Sequence, residues 1–402
     1  MIFCTVLTGL LLLTVSCSSM NQNESIINTN CTESSLAVEN NITENNTADN
    51  SNYYQSVDVE LPTDIKPVPT TELDLPITGN LSLFSIGDDY ISYQIAEQAN
   101  TDSPDMSFYK YSLSTFDITP INGVASEFNS TSGTYAICEN KVYIAYDSIQ
   151  NRNFCCIDFD EASVKNIKQE ELNTATDSFY FTYPVSKEQY AVRWFNMEPN
   201  IPTQITNHII LCDESNVESE IFTNKINRNE IQTDYAVANK KVYELFCDKS
   251  AQKVSINTYD FAGKQLSQEF FPEVSEALKA SNTAYPAYLN VFADTVSFNL
   301  FDEQSIMEDG DLFIYNLKTH TVMVFDDAML LSNYTLNQSD NIILQHYINT
   351  KDATICELYV LNVENESIYK LADDLSLFSS TITDGKKVAF IKDDKINICD
   401  IS

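Results

Sequence analysis

Seven times between residue 80 and the C-terminus the chain repeats one pattern: a short run rich in β-branched and aromatic residues, a turn signal, and another such run. The clearest copy is the last, SSTITDGKKVAFIKDDKINICDI (379–401). It reads as strand, Asp384-Gly385 turn, strand 387–391, Asp393-Asp394 turn, strand 395–401. A second strand recurs as YISYQI (90–95), KVYIAY (141–146), QYAVRWF (189–195), KVYELF (241–246), TVSFNLF (295–301), NIILQHYI (341–348) and KVAFI (387–391). Third strands follow at 107–113, 154–159, 208–213, 254–261, 311–317, 356–362 and 395–401. Fourth strands come after a further polar turn at 116–121, 163–167, 217–222, 267–271, 321–325 and 367–371. The seventh unit ends without one.

Unit starts near 80, 132, 178, 232, 287, 333 and 379 are about 46–55 residues apart, the length of four strands with their turns. An α/β fold needs helical periods of about 10–15 residues between strands; only 273–280 hints at a short helix. The pattern predicts an all-β fold, a seven-bladed β-propeller over 71–402, with six or eight blades or two packed β-domains as the alternatives. Glu72-Leu73-Asp74-Leu75-Pro76-Ile77 is the candidate for the missing strand, pairing beside 395–401. That pairing closes the ring and removes open sheet edges.

Thr383-Asp384-Gly385-Lys386-Lys387-Val388-Ala389-Phe390 followed by Lys395-Ile396-Asn397-Ile398-Cys399-Asp400 resembles the repeats of TolB-like and related bacterial propellers. The other units have lost the Asp-Gly, as at Ala238-Asn239-Lys240 and Ala293-Asp294-Thr295. The resemblance implies a fold, and it is similar in layout to a group of lipid-anchored bacterial propellers; it assigns no activity. Many propellers precede a peptidase domain, and no such catalytic half is expected here.

The N-terminal region reads differently. Residues 1–16, MIFCTVLTGLLLLTVS, form an apolar stretch too short to span a bilayer and ending in small residues, as a signal peptide does. Leu13-Thr14-Val15-Ser16-Cys17 resembles the lipobox of bacterial lipoproteins, with Thr14 where Leu is usual. The resemblance implies a diacylglycerol on Cys17 and a membrane-anchored, extracytoplasmic protein; plain secretion is the alternative. Acyl chains contribute about 0.8 kcal/mol per buried methylene, so more than one chain is needed for a firm anchor. Residues 17–70 are expected to be the lipidated cysteine and a disordered spacer, because the Asn/Ser/Thr-rich stretch offers little apolar surface to offset ordering.

The net charge of −35 excludes nucleic acid as a partner, since phosphate contacts need clustered Lys and Arg. It also rules out a basic patch as the means of membrane attachment. His208, His320 and His346 stand in no metal-ligand spacing, and no Gly-x-Ser-x-Gly elbow or phosphate-cradling loop is present. Cys138, Cys155, Cys156, Cys212, Cys247, Cys356 and Cys399 are expected to be buried free thiols. Asp302, Glu308, Asp309 and Asp311 around Gly310 offer the oxygen ligands calcium prefers, without the spacing of the twelve-residue loop. No other cofactor is expected.

Connections from the second strand to the third, and from the fourth to the next unit, share one face of a propeller. The longest, 97–106, 197–205, 272–286 and 302–310, fall there, opposite short turns. Trp194 and Phe195, at the loop end of their strand, and Tyr285 and Tyr288 are the candidates for stacking on a carbohydrate or anchoring a protein. The expected function is a non-catalytic binding or scaffolding module. The alternative is a polysaccharide-acting enzyme with carboxylates over the channel, at the separations glycoside cleavage requires.

Overall fold

The computed structural model describes residues 54–402 apart from 74–79, 98–104, 124–132, 148–150, 172–176, 199–200, 216–217, 281–283, 303–309, 332–339, 350–353 and 377–379. The expected signal peptide, Cys17 and residues 18–53 lie outside the described residues.

Seven antiparallel sheets follow one another around a ring, and the chain is a seven-bladed β-propeller. The first strands of the blades are Asn80–Ile86, Gly133–Cys138, Asp177–Ser186, Ile231–Ala238, Ala284–Phe292, Ala328–Leu330 and Thr381–Thr383. Their starts match the expected units, except that blades 5 and 6 begin earlier than 287 and 333. The closing strand is Thr70–Leu73, which pairs antiparallel with Ile396–Cys399. The expected closing segment thus begins two residues sooner than Glu72, and its part from 74 to 77 lies outside the described residues.

Strand alternation sends successive side chains to opposite faces of a blade, so each blade packs on two neighbours. Seven apolar clusters result, one in each seam. The second strands are buried on both faces, as in Thr295–Asp302, where only Asp302 is partly exposed. Aromatic residues fill the wedge between blades: Tyr143 stacks on Tyr190 across the seam of blades 2 and 3, with centroids 4.5 Å apart.

Polar contacts lock the seams where first strand turns into second. Tyr90 Oη donates to Glu139 O (3.2 Å), Tyr143 Oη to Lys187 O (3.2 Å), and Lys387 Nζ to Asp88 O (2.6 Å). The acceptors all lie in the tight turns of the next blade. Asn239-Lys240 turns with both φ angles positive, at 52° and 55°, the geometry a two-residue hairpin needs.

Residues 54–70, expected to belong to the disordered spacer, are instead packed on the rim of the ring. Gln55–Ser56 adds to blade 5 as a fifth, parallel strand against Thr321–Val322. Val57, Val59 and Leu61 pack into the seam of blades 5 and 6, and Val68 into that of blades 6 and 7. Alternating valines and leucine bury enough surface to offset the ordering cost that the Asn-rich stretch before them cannot.

Candidate functional site

The densest group of buried charged and amide side chains among the described residues lies in the seam of blades 3 and 4. Blade 3 sends Phe181, Tyr183, Arg193, Asn207 and Asn224 toward blade 4, which answers with Asp234, Tyr235, Glu244, Asn257 and Tyr259. Arg193 is 7% exposed and Glu244 1%. Burying such groups costs several kcal/mol each unless every charge is paired and hydrogen-bonded.

Both are held. Arg193 Nη1 donates to Asp234 Oδ1 at 2.8 Å, and its guanidinium lies over the rings of Tyr235 (4.6 Å) and Phe181 (5.2 Å). Burial works against the charge on Arg193; Tyr183, Asp234 and Tyr235 outweigh it and raise its pKa further. Asp234 also accepts from the backbone N–H of Tyr235 (2.8 Å) and of Leu289 (2.9 Å), joining blade 5 to the pair. Glu244 accepts four bonds: Asn224 Nδ2 (2.6 Å) and Tyr235 Oη (3.0 Å) on Oε1, Asn257 Nδ2 (3.0 Å) and Tyr259 Oη (2.8 Å) on Oε2. Burial, with the Glu244 charge beside them, raises the phenols of Tyr235 and Tyr259. Arg193 Nε, Asn207 Nδ2 and Asn257 Oδ1 are buried without a hydrogen-bond partner.

Leu289 reaches Asp234 because the first strand of blade 5 bulges. Its register shifts between Ala287 and Asn290, and Tyr288 takes the left-handed region at φ 59°. A bulky side chain there is strained, and bulges of this kind re-aim side chains. The bulge places Tyr288 edge-on to Phe301 (5.5 Å), while Tyr285 lies against the same ring (5.9 Å). Gly310 makes room for Phe301: a Cβ at that position would lie 2.3 Å from Phe301 Cε1.

The structure therefore brings Tyr285 and Tyr288 together in blade 5 and keeps them apart from Trp194 and Phe195 in blade 3. The stretch 197–205 is not a long loop. Strands Gln189–Glu198 and Ile201–Asp213 run on as one extended hairpin, and Trp194 sits inside it, not at a loop end. Trp194 stacks on His208 (5.2 Å, 14°) and packs into the seam of blades 2 and 3. His208 Nδ1 lies 2.8 Å from Glu220 Oε1, which holds that carboxyl below its ordinary value. Strand alternation puts Phe195 on the other side, with Arg193. The 272–286 connection carries the one helix among the described residues, Pro272–Ala280, as the sequence hinted.

Of the calcium candidates, Glu308 and Asp309 lie outside the described residues. Asp302 ends one strand, and Asp311 starts its neighbour, opposite Leu300. Burial, then Asp326 and Asp327, raises the Asp311 carboxyl. Among the described residues no group of three or more His, Cys, Asp or Glu side chains is placed to hold a metal ion.

Arg193, Asp234 and Glu244 were not singled out from the sequence. The signal was there: Arg193 in YAVRWF and Glu244 in KVYELF are charges flanked by apolar residues, which burial permits only where polar partners meet them.

No protein-family model and no curated protein matches the chain. Solved structures do. An oligogalacturonate lyase in complex with manganese is similar at TM-score 0.50 and 10% identity, over 84% of this chain and 97% of the lyase. An acylaminoacyl peptidase from Pyrococcus horikoshii is similar at TM-score 0.51 and 9% identity, over 77% of this chain and 49% of the peptidase. This chain thus spans about half of that peptidase. TolB from Acinetobacter baumannii is similar at TM-score 0.39 and 12% identity, over 78% of this chain and 64% of TolB. At such identities the likeness is one of fold.

Proposed function

We propose that the chain is a lipid-anchored protein of the extracytoplasmic face of a bacterial membrane, whose propeller is a non-catalytic binding or scaffolding module for a protein or carbohydrate. The observation that carries the binding reading is the state of the charged groups in the seam. Glu244 is engaged by four donors and Asp234 by three, two of them from the neighbouring blades 3 and 5. A general acid or base needs a free lone pair or proton aimed at a substrate and a pKa near the working pH. Carboxylates engaged by their own and neighbouring blades hold those blades rigid instead, and rigid blades present a fixed surface. Tyr285 and Tyr288 supply the aromatic surface on it. The lipobox-like run ending in Cys17 supports the anchor.

The full chain on vesicles should bind a neutral oligosaccharide or a partner protein saturably, in a manner weakened by Tyr288→Ala, without generating new reducing ends or unsaturated sugar products. Turnover of a polysaccharide would overturn the reading in favour of the enzyme. Cys17→Ala should move the protein from the membrane to the soluble fraction; unchanged fractionation would sink the anchor alone.

A further inference from the structure

The rim segment 54–73 does more than close the ring. It places an apolar side chain in each of four consecutive seams: Tyr54 between blades 4 and 5, Val57, Val59 and Leu61 between 5 and 6, Val68 between 6 and 7, and Leu73 between 7 and 1. Only its last four residues form the closing strand.

The grip is uneven along the segment. Tyr54, 6% exposed, is a plug: its ring meets Tyr315 edge-on (4.9 Å) and lies 5.8 Å from Phe271 and 5.5 Å from His320. Its backbone N–H donates to Glu273 Oε1 on the helix at 3.0 Å. Gln55 N and Val57 N then donate to His320 O and Val322 O, both at 2.9 Å. The middle is held less. Residues 63–66 are exposed, and an isolated parallel bridge between Ile65 and Lys370, with Lys66 N donating to Lys370 O (2.9 Å) and Lys66 Nζ 4.1 Å over the Tyr369 ring, ties them to blade 6. Beyond it Thr70–Leu73 is paired residue by residue with blade 7, and Leu73 is 4% exposed.

We infer that 54–73 is a two-stage clasp, in which the Tyr54 plug holds the leading half independently and so shields the ring-closing strand from displacement that begins at residue 54. The exposed stretch 63–66 uncouples the halves, so that losing the plug frees 54–61 while Thr70–Leu73 stays paired. A chain hauled on from its N-terminal side then loads the plug first, and the last blade is sheltered behind it.

Hydrogen exchange followed by mass spectrometry on the full chain tests the order of release. Tyr54→Ala should speed exchange across 54–61 at least tenfold and leave 70–73 and the paired 396–399 within twofold of the parent. Tyr54→Phe should match the parent, because Tyr54 Oη is buried without a hydrogen-bond partner and only the ring fills the seam. Glu273→Gln, which keeps an acceptor for Tyr54 N, separates loss of the plug from general damage to the helix and should also match. The inference is overturned if Tyr54→Ala leaves 54–61 protected, or if 70–73 and 396–399 accelerate equally, since the segment would then come away as a single unit. None of these outcomes depends on lipidation of Cys17.

Discussion

Removing the Glu244 carboxylate should cost the fold more than any surface change, and the seam lets the cost be worked out. Glu244→Ala strips the acceptor from Asn224, Tyr235, Asn257 and Tyr259 at once. Each buried donor left unpaired costs about 1–3 kcal/mol, and breaking a buried charged network by deleting one partner costs about 3–5 kcal/mol. The site is 1% exposed, so water reaches it poorly. Yet the side chain removed was itself expensive to bury, and the donors partly re-pair with one another. A net loss of about 4 kcal/mol follows, a thousandfold in the folding equilibrium. Glu244→Gln retains one oxygen but turns an amide N–H₂ toward two of the four donors, so about half that loss is expected. Tyr259→Phe removes one donor and no acceptor and should cost about 1 kcal/mol. The double change Glu244→Ala with Tyr259→Phe should cost less than the sum, because one orphaned hydroxyl is gone. Urea unfolding followed by Tyr fluorescence and by far-ultraviolet circular dichroism measures this, provided the two probes give one transition. A cost below about 1 kcal/mol for Glu244→Ala, or strict additivity of the pair, would refute the claim that the carboxylate organises the seam.

Other consequences are open to measurement. Burial pushes the Glu357 carboxyl up, but hydrogen bonds from Lys370 and Tyr359 outweigh it and hold it below the ordinary 4.5. A depressed folded pKa means stability present above about pH 4.5 and lost as pH falls through the folded value, so Glu357→Gln should lower stability at pH 7 and flatten the acid limb of the stability profile. Gly310→Ala should destabilise by about 1–3 kcal/mol and weaken any ligand held by Tyr285 and Tyr288, because the new methyl displaces the Phe301 ring both lean on; an unchanged melting curve would count against that packing. Cys138, Cys155, Cys156 and Cys356 are buried thiols pushed up to about 12, so a thiol reagent at pH 8 should label them only after denaturation; labelling of the native protein within minutes would contradict the packing.

The repeat of strand runs and turn signals determined the ring. Each unit of four strands cannot bury both its faces alone, and seven such units in series leave closure as the way to cover every face and edge. The same pattern located the tight turns between strands, where Asn239-Lys240 and Asp393-Asp394 accept positive φ, and the seven thiols, which sit as small apolar residues in the seams. What the sequence could not rank was partnership across seams. Trp194 and Arg193 are neighbours in one strand, and alternation sends one to blade 2 and the other to blade 4; which is plug and which is charge pair depends on residues about forty positions away, such as Asp234. The bulge that strains Tyr288 and hands Leu289 N–H to Asp234 has no local signature, being a shift in register fixed by the neighbouring blade. The rim segment was hidden for a like reason. Val57, Val59 and Leu61 read as sparse hydrophobes at the end of a polar stretch, and only the ring's own curvature opens the seams that receive them.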